Sequence, residues 1–196
     1  MLNKSLFSLV IAGLGLAIIV LSAPPAIAKS HEAMARAAAE SQFKAWAHDP
    51  VVISAIKEQN AKHANLSNAD IDKMDKVWRA QKKSGDRPLI EAKMSNTLAK
   101  FLKAVKSKSG GLITEAFVMD NKGLNVGQTD PTGDYMQGDE AKWQKTYGVG
   151  VGAVHIGGIE VEDGLPITQV SVAITDPGTL KVIGAVTVGV NANKLK

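Results

Sequence analysis

Residues 115–148 read EAFVMDNKGLNVGQTDPTGDYMQGDEAKWQKTYG, and two later segments, QVSVAITDP (169–177) and VIGAVTVGV (182–190), share their rhythm. Ile113, Glu115, Phe117 and Met119 alternate with Thr114, Ala116, Val118 and Asp120, the period of two that marks a strand. Asn121-Lys122-Gly123 is a hairpin-type turn in which glycine supplies a positive φ. A short strand follows over 124–128, then a loop over 129–138 and a short helix over 139–147. Three more strands are expected at roughly 152–162, 166–175 and 180–190. Glu162-Asp163-Gly164 and Asp176-Pro177-Gly178-Thr179 are the turns between them, and connections this short join antiparallel neighbours.

The preceding half of the chain has a different period. Residues 31–47 (HEAMARAAAESQFKAWA) are rich in the helix formers Ala, Glu and Lys. Asp49-Pro50 restarts the chain with an N-cap residue and a proline suited to a first helical turn. The next helix runs to about residue 62 on a face of Val52, Ile53 and Ile56. Ser67-Asn68-Ala69-Asp70 resembles a capping box with Asp in the place of Glu. It opens a helix with Ile71, Met74 and Trp78 at i, i+3 and i+7. Gly85-Asp86-Arg87-Pro88 is a break. One long helix is then expected over 88–106, striped by Ile90, Met94, Leu98, Phe101, Leu102 and Val105. Residues 107–111 are a short joint at which the period switches from 3.6 to 2. The pattern predicts an α+β fold, with long N-terminal helices packed on a five-stranded antiparallel sheet.

The first residues stand apart from that fold. Lys4 precedes an apolar run over 6–21, Pro24 and Pro25 end it, and Ala26-Ile27-Ala28 has the form of a cleavage site. The run is shorter than the ~20 residues that span a bilayer. A secretory signal peptide cleaved after Ala28 is therefore expected, giving a periplasmic chain from Lys29; an uncleaved anchor is the alternative. The 196 residues contain no cysteine, so stability in an oxidising compartment rests on the core. The formal charge of +4 is spread as lysines along the helices, which describes a solvated face, and no nucleic-acid partner is expected.

Three features together resemble the Cache domain, an extracytoplasmic PAS-like (PDC-type) sensor module that binds small molecules. They are the strand ending in Asp120-x-x-Gly123, the loop entering Asp134-Tyr135-x-x-Gly138-Asp139-Glu140 with Trp143 beyond, and the last hairpin from Asp176-Pro177-Gly178 to Val182-Ile183-Gly184. The resemblance covers roughly 68–195 and is densest over 117–190. It divides the chain into a signal peptide (1–28), an N-terminal helical extension (29–66) that packs beside the module or dimerises it, and a Cache-like sensor domain (67–196). No later run spans a membrane and no signalling domain follows. The expected role is thus a free-standing periplasmic sensor module without its own output, binding a small molecule and acting with a membrane receptor or transporter. A homodimer is the other candidate assembly. The alternative is a non-catalytic structural or protein-interaction module with no physiological small ligand.

The resemblance puts the ligand beneath the 134–143 segment and implies Tyr135, Gln137, Asp139 and Trp143 as contacts. Tyr and Trp offer apolar walls with one polar handle each, and Gln and Asp can fix polar groups in a mostly apolar cavity. Capping of the core by Tyr135 and Trp143, and of the short helix by Asp139, are the plainer roles for the same residues. On the strand over 166–175, Gln169 and Ser171 share one face with Ala173, while Val170, Val172 and Ile174 share the other. That pattern suits a pocket floor or any half-exposed strand. Glu115, among Phe117 and Met119, reads as the exposed start of its strand, with a ligand contact as the alternative. Amino-acid-binding Cache domains carry Arg two positions before the matching Trp and an aromatic just after it. Here Ala141 and Gln144 stand there, and Lys142 and Lys145 do not reproduce the bidentate fork. Free α-amino acids should therefore bind weakly or not at all.

Other motifs lead nowhere. Gly148-x-Gly150-x-x-Ala153 follows no apolar strand and opens no helix, so it is not a dinucleotide fingerprint. His31, His48, His63 and His155 form no i, i+4 pair, and the acids Asp130, Asp134, Asp139 and Glu140 lack EF-hand spacing. No G-x-S-x-G elbow and no assignable carboxylate pair is present. The reading is of a protein that is not an enzyme, with no catalytic residue, cofactor or metal.

Overall fold

The computed structural model describes residues 25–196. The expected signal peptide lies outside the described residues except for 25–28, which open the first helix. That helix, α1 (Pro25–Ala38), passes through a π-helical turn (Ala39–Phe43) into α2 (Lys44–Ala47). The helix expected over 31–47 is thus present but begins earlier, at a proline, which fits a first turn.

Local signals then act as written in the sequence. The Asp49 carboxylate accepts the Val51 N–H at 2.8 Å and starts α3 (Pro50–Lys62). Ser67 and Asp70 form the reciprocal capping box of α4 (Asn68–Gln81), with the Asp70 carboxylate accepting the Ser67 N–H at 2.9 Å. The single helix expected over 88–106 is instead two, α5 (Pro88–Ser95) and α6 (Thr97–Lys108). Asn96 causes the break. Its backbone is extended (ψ 171°), its Oδ1 accepts the Ala99 N–H at 2.8 Å, and its Nδ2 donates to the Val126 carbonyl at 2.8 Å. One side chain both caps α6 and ties it to the sheet.

The strands are β1 (Ile113–Met119), β2 (Asn125–Gln128), β3 (Val154–Glu162), β4 (Leu165–Thr175) and β5 (Val182–Asn191). They form one sheet in the order β2-β1-β5-β4-β3, every neighbouring pair antiparallel. A short helix, α7 (Ala141–Gln144), sits in the long connection between β2 and β3. This is the α+β fold anticipated from the period switch, helices packed on a five-stranded antiparallel sheet.

The two faces of the sheet differ. On the first, Val118, Val126, Val172, Val186 and Val188 pack against Ala35, Phe43, Ile56, Leu98 and Leu102. Residues of the N-terminal helices are therefore built into the main core, each large apolar side chain contributing about 1.5–3 kcal/mol on burial. Strand register defines the second face as three cross-strand rows. Met119, Ala185 and Ala173 form one, and Phe117, Thr187, Ser171 and His155 the next. Glu115, Gly189 and Gln169 form the third. Trp143 and Tyr147, from the β2–β3 connection, pack on Phe117, Met119 and Ala185 and so roof this face.

Candidate functional site

The second face is small and polar where the first is branched and apolar, and its roof is aromatic. Trp143 and Tyr147 stack with centroids 4.7 Å apart, and the Trp143 indole donates to the Asp120 carbonyl at 3.1 Å. Beside them, Lys142 turns inward. Its side chain is only 15% exposed, and its ammonium lies 5.4 Å from the centroid of Phe117. It pairs with Glu140 at 2.8 Å and donates to Gln137 Oε1 at 3.2 Å. A cation over an aromatic face is attracted to the ring quadrupole, so Lys142 has reason to stay there.

Two polar pairs lie on the sheet itself. Ser171 and Thr187 share a hydrogen bond of 2.9 Å, both buried. Gln169 Nε2 donates to Glu115 Oε1 at 3.0 Å. Glu115 is half-buried rather than the exposed strand start that alternation suggested. Burial lifts its carboxyl above the ordinary glutamate range, and the Gln169 bond offsets this in part. His155 completes the Phe117 row, and burial and then the Lys145 ammonium hold its imidazole below the usual value. Gln128, opposite Phe117, is buried with its Nε2 unpartnered. A small cleft of about 50 Å³, lined by Gly157, Gly158 and Ile167 among others, reaches Gln169.

The residues anticipated from sequence divide accordingly. Trp143, Gln169 and Ser171 come to the second face. Gln137 is buried at its margin, where it orients Lys142 and donates to the Asp134 carbonyl and carboxylate. Tyr135 is placed elsewhere: it stacks on Trp78 at 5.5 Å and packs with Ile90 and Leu124. The reason is a gap beneath α4 and α5 that an aromatic must fill, with Lys93 lying 5.6 Å over its ring. Tyr135 and Trp143 therefore do not form two walls of one site. Asp139 is exposed, and it does not cap α7, whose N-cap is Glu140 without a side-chain bond. It lies instead on a groove of about 370 Å³ that Ile71, Met136 and Trp143 also line.

Sequence reasoning missed Glu115 as a half-buried group and Lys142, His155 and Thr187 as members of the face. Thr187 was open to detection, because Ala185, Thr187 and Gly189 alternate as small residues just as Gln169, Ser171 and Ala173 do. Among the described residues, no group of three or more His, Asp or Glu is placed to hold a metal ion, and no helix is long and apolar enough to cross a membrane.

No protein-family model matches the sequence, and no curated protein matches it. Several solved structures are similar, and they are sensor domains. The E. coli DcuS sensor domain is 14% identical with a TM-score of 0.45, covering 87% of this chain and 92% of that one. The sensor domain of the V. cholerae histidine kinase DctB is 10% identical with a TM-score of 0.36, covering 85% and 57%. The sensory domain of the Campylobacter jejuni chemoreceptor Tlp3 is 13% identical with a TM-score of 0.40, covering 87% and 63%. The chain thus spans nearly all of the first and less than two thirds of the other two.

Proposed function

We propose that this chain is a Cache-type, extracytoplasmic sensor module that binds a small polar molecule on the second face of its sheet. The observation that carries the reading is the Glu115–Gln169 and Ser171–Thr187 pairs lying under an aromatic and cationic roof of Trp143, Tyr147 and Lys142. A face meant only for packing gains nothing from half-buried polar groups, since each costs free energy unless matched. Ligand sites, by contrast, are apolar surfaces with a few convergent polar groups. In this reading Trp143, Gln169 and Ser171 contact the ligand. Lys142, oriented by Gln137, supplies a point charge in place of the fork that an arginine at 141 would give. The roof is closed down on Phe117 and Met119, so the ligand enters by displacing it.

The same reading makes residues 1–28 a cleaved signal peptide and the mature protein periplasmic. The absence of catalytic constellations in the sequence points to a role without chemistry, relayed by a membrane receptor or transporter. A second reading, an interaction module without a ligand, is favoured by the edge strand β3. There Ile159 and Val161 are exposed, next to Leu165 on the same hairpin, and such an edge can pair with another chain.

Thermal melting of purified residues 29–196 against organic acids, amines, purines and amino acids separates the two. The sensor reading expects at least one class to raise the melting temperature by mass action. The interaction reading expects none to do so, with a melting temperature that depends on protein concentration.

A further inference from the structure

A single buried residue joins the roof of the second face to the helices of the first. Asp120, at the end of β1, is fully buried. Its Oδ1 accepts the N–H groups of Lys122 and Leu124 at 2.8 and 2.9 Å, holding the β1–β2 turn. Its Oδ2 accepts Gln59 Nε2 at 2.9 Å and lies 3.0 Å from His63 Nδ1, both on the last turn of α3 or just past it. Its carbonyl accepts the Trp143 indole N–H at 3.1 Å. Gln59 carries the connection on, because its Oε1 accepts Lys93 Nζ of α5 at 2.5 Å. Burial pushes the Lys93 ammonium down to about 8, so this bond is its compensation for leaving water.

We propose that Asp120 is a positioning residue that sets Trp143 over the second face and makes that placement conditional on α3. The carboxylate and the carbonyl belong to one fully buried residue, and both are engaged in hydrogen bonds. A shift of Trp143 therefore drags the β1–β2 turn, and the turn is held by Gln59, His63 and also Asn60, whose Oδ1 accepts the Asn121 N–H at 3.0 Å. Buried polar networks of this kind have few alternative arrangements, since each unpaired member is costly in a low-dielectric interior. Roof displacement is thereby transmitted to the helical layer. The proposal goes beyond the ligand reading, and its test requires no ligand, so its failure leaves that reading standing.

The test is amide and indole hydrogen exchange by NMR on the purified protein. Trp143→Phe keeps an aromatic ring over Phe117 and removes the indole donor together with part of the ring's bulk, a loss that the comparison with Val172 and Val188 controls for. Exchange at the amides of residues 59–63 should quicken at least about fivefold, and by more than at Val172 and Val188, which report global opening. In the reverse direction, His63→Gln should shift the Trp143 indole resonance and speed its exchange, although residue 63 does not touch Trp143. Gln59→Met serves the same purpose if His63→Gln does not fold. Coupling is reciprocal by linkage. If residues 59–63 respond no more than Val172 and Val188, or if the indole signal ignores the α3 variants, the proposal is overturned.

Discussion

Glu115 and Gln169 meet across Gly189: they stand on β1 and β4, with β5 between, and are joined by a hydrogen bond of 3.0 Å. The glycine makes this possible. A Cβ at position 189 would lie 2.6 Å from both the Glu115 Cγ and the Thr114 hydroxyl, so any side chain there displaces the carboxylate from its partner. Gly189→Ala should accordingly lower stability by about 1–3 kcal/mol through overpacking, read as a shift in the urea midpoint at constant slope. A midpoint equal to wild type would mean that Glu115 is not held across the strand.

The pH dependence of stability follows from the same carboxylate. Its folded pKa is raised above the reference value of 4.5, chiefly by burial. Its protonated form is therefore favoured in the fold, a contribution fully present below pH 4.5 and lost as pH rises through the folded pKa. Glu115→Gln keeps a group that can pair with Gln169 and removes the buried charge. It should be at least as stable as wild type at pH 7, with the advantage fading below about pH 4.5. Urea titrations at pH 7 and near pH 4 check this; a variant less stable at pH 7 but not at pH 4 would contradict it.

Asn96 offers an independent test of the fold. Asn96→Ala removes the cap of α6 and its bond to the Val126 carbonyl. The loss should be about 0.5–2 kcal/mol for the cap alone, measured by chemical denaturation. Asn96→Asp keeps the acceptor for Ala99 and should recover part of it.

Trp143 separates packing from recognition. Trp143→Ala empties space over Phe117 and Met119 and should cost stability, by less than the ~3–5 kcal/mol of a fully buried ring because Trp143 is only partly buried. Trp143→Phe should retain most of that stability by thermal melting while weakening binding of any compound that stabilises the wild type. A Phe variant as unstable as the Ala variant would contradict this.

Much of this architecture was legible in the residues. Period-two alternation from Ile113 and the turns at Gly123, Gly164 and Asp176 define the strands, because those signals are local. The Asp49 and Ser67 caps are local too. The break at Asn96 was hidden because the stripe from Ile90 to Val105 continues in phase through it, though Ser95-Asn96-Thr97 is a run of residues that suit a cap better than a helix interior. Glu115 was misjudged because its burial depends on a missing side chain far along the chain, at Gly189 on β5, which pairs with β1 in the sheet. Tyr135 was misplaced for a similar reason: which layer a loop aromatic fills depends on the gap left by Trp78 and Ile90, and spacing along the chain carries no record of that gap. Lys142 shows the converse, since a lysine on a short helix reads as solvated until Phe117 and Gln137 are placed beneath it.

The central claim is that the second face receives a small molecule through the roof residues and Gln169. The most direct measurement is a thermal-shift screen of residues 29–196 with organic acids, amines, purines and amino acids, run in parallel on wild type and Gln169→Ala. The account predicts that at least one class raises the wild-type melting temperature, by roughly 5–10 °C at a hundredfold excess over Kd. It predicts that Gln169→Ala, whose own melting temperature falls somewhat because Glu115 loses its partner, loses most of that ligand-induced shift. A screen in which no compound stabilises the wild type, or in which the active compound stabilises Gln169→Ala equally, would contradict it.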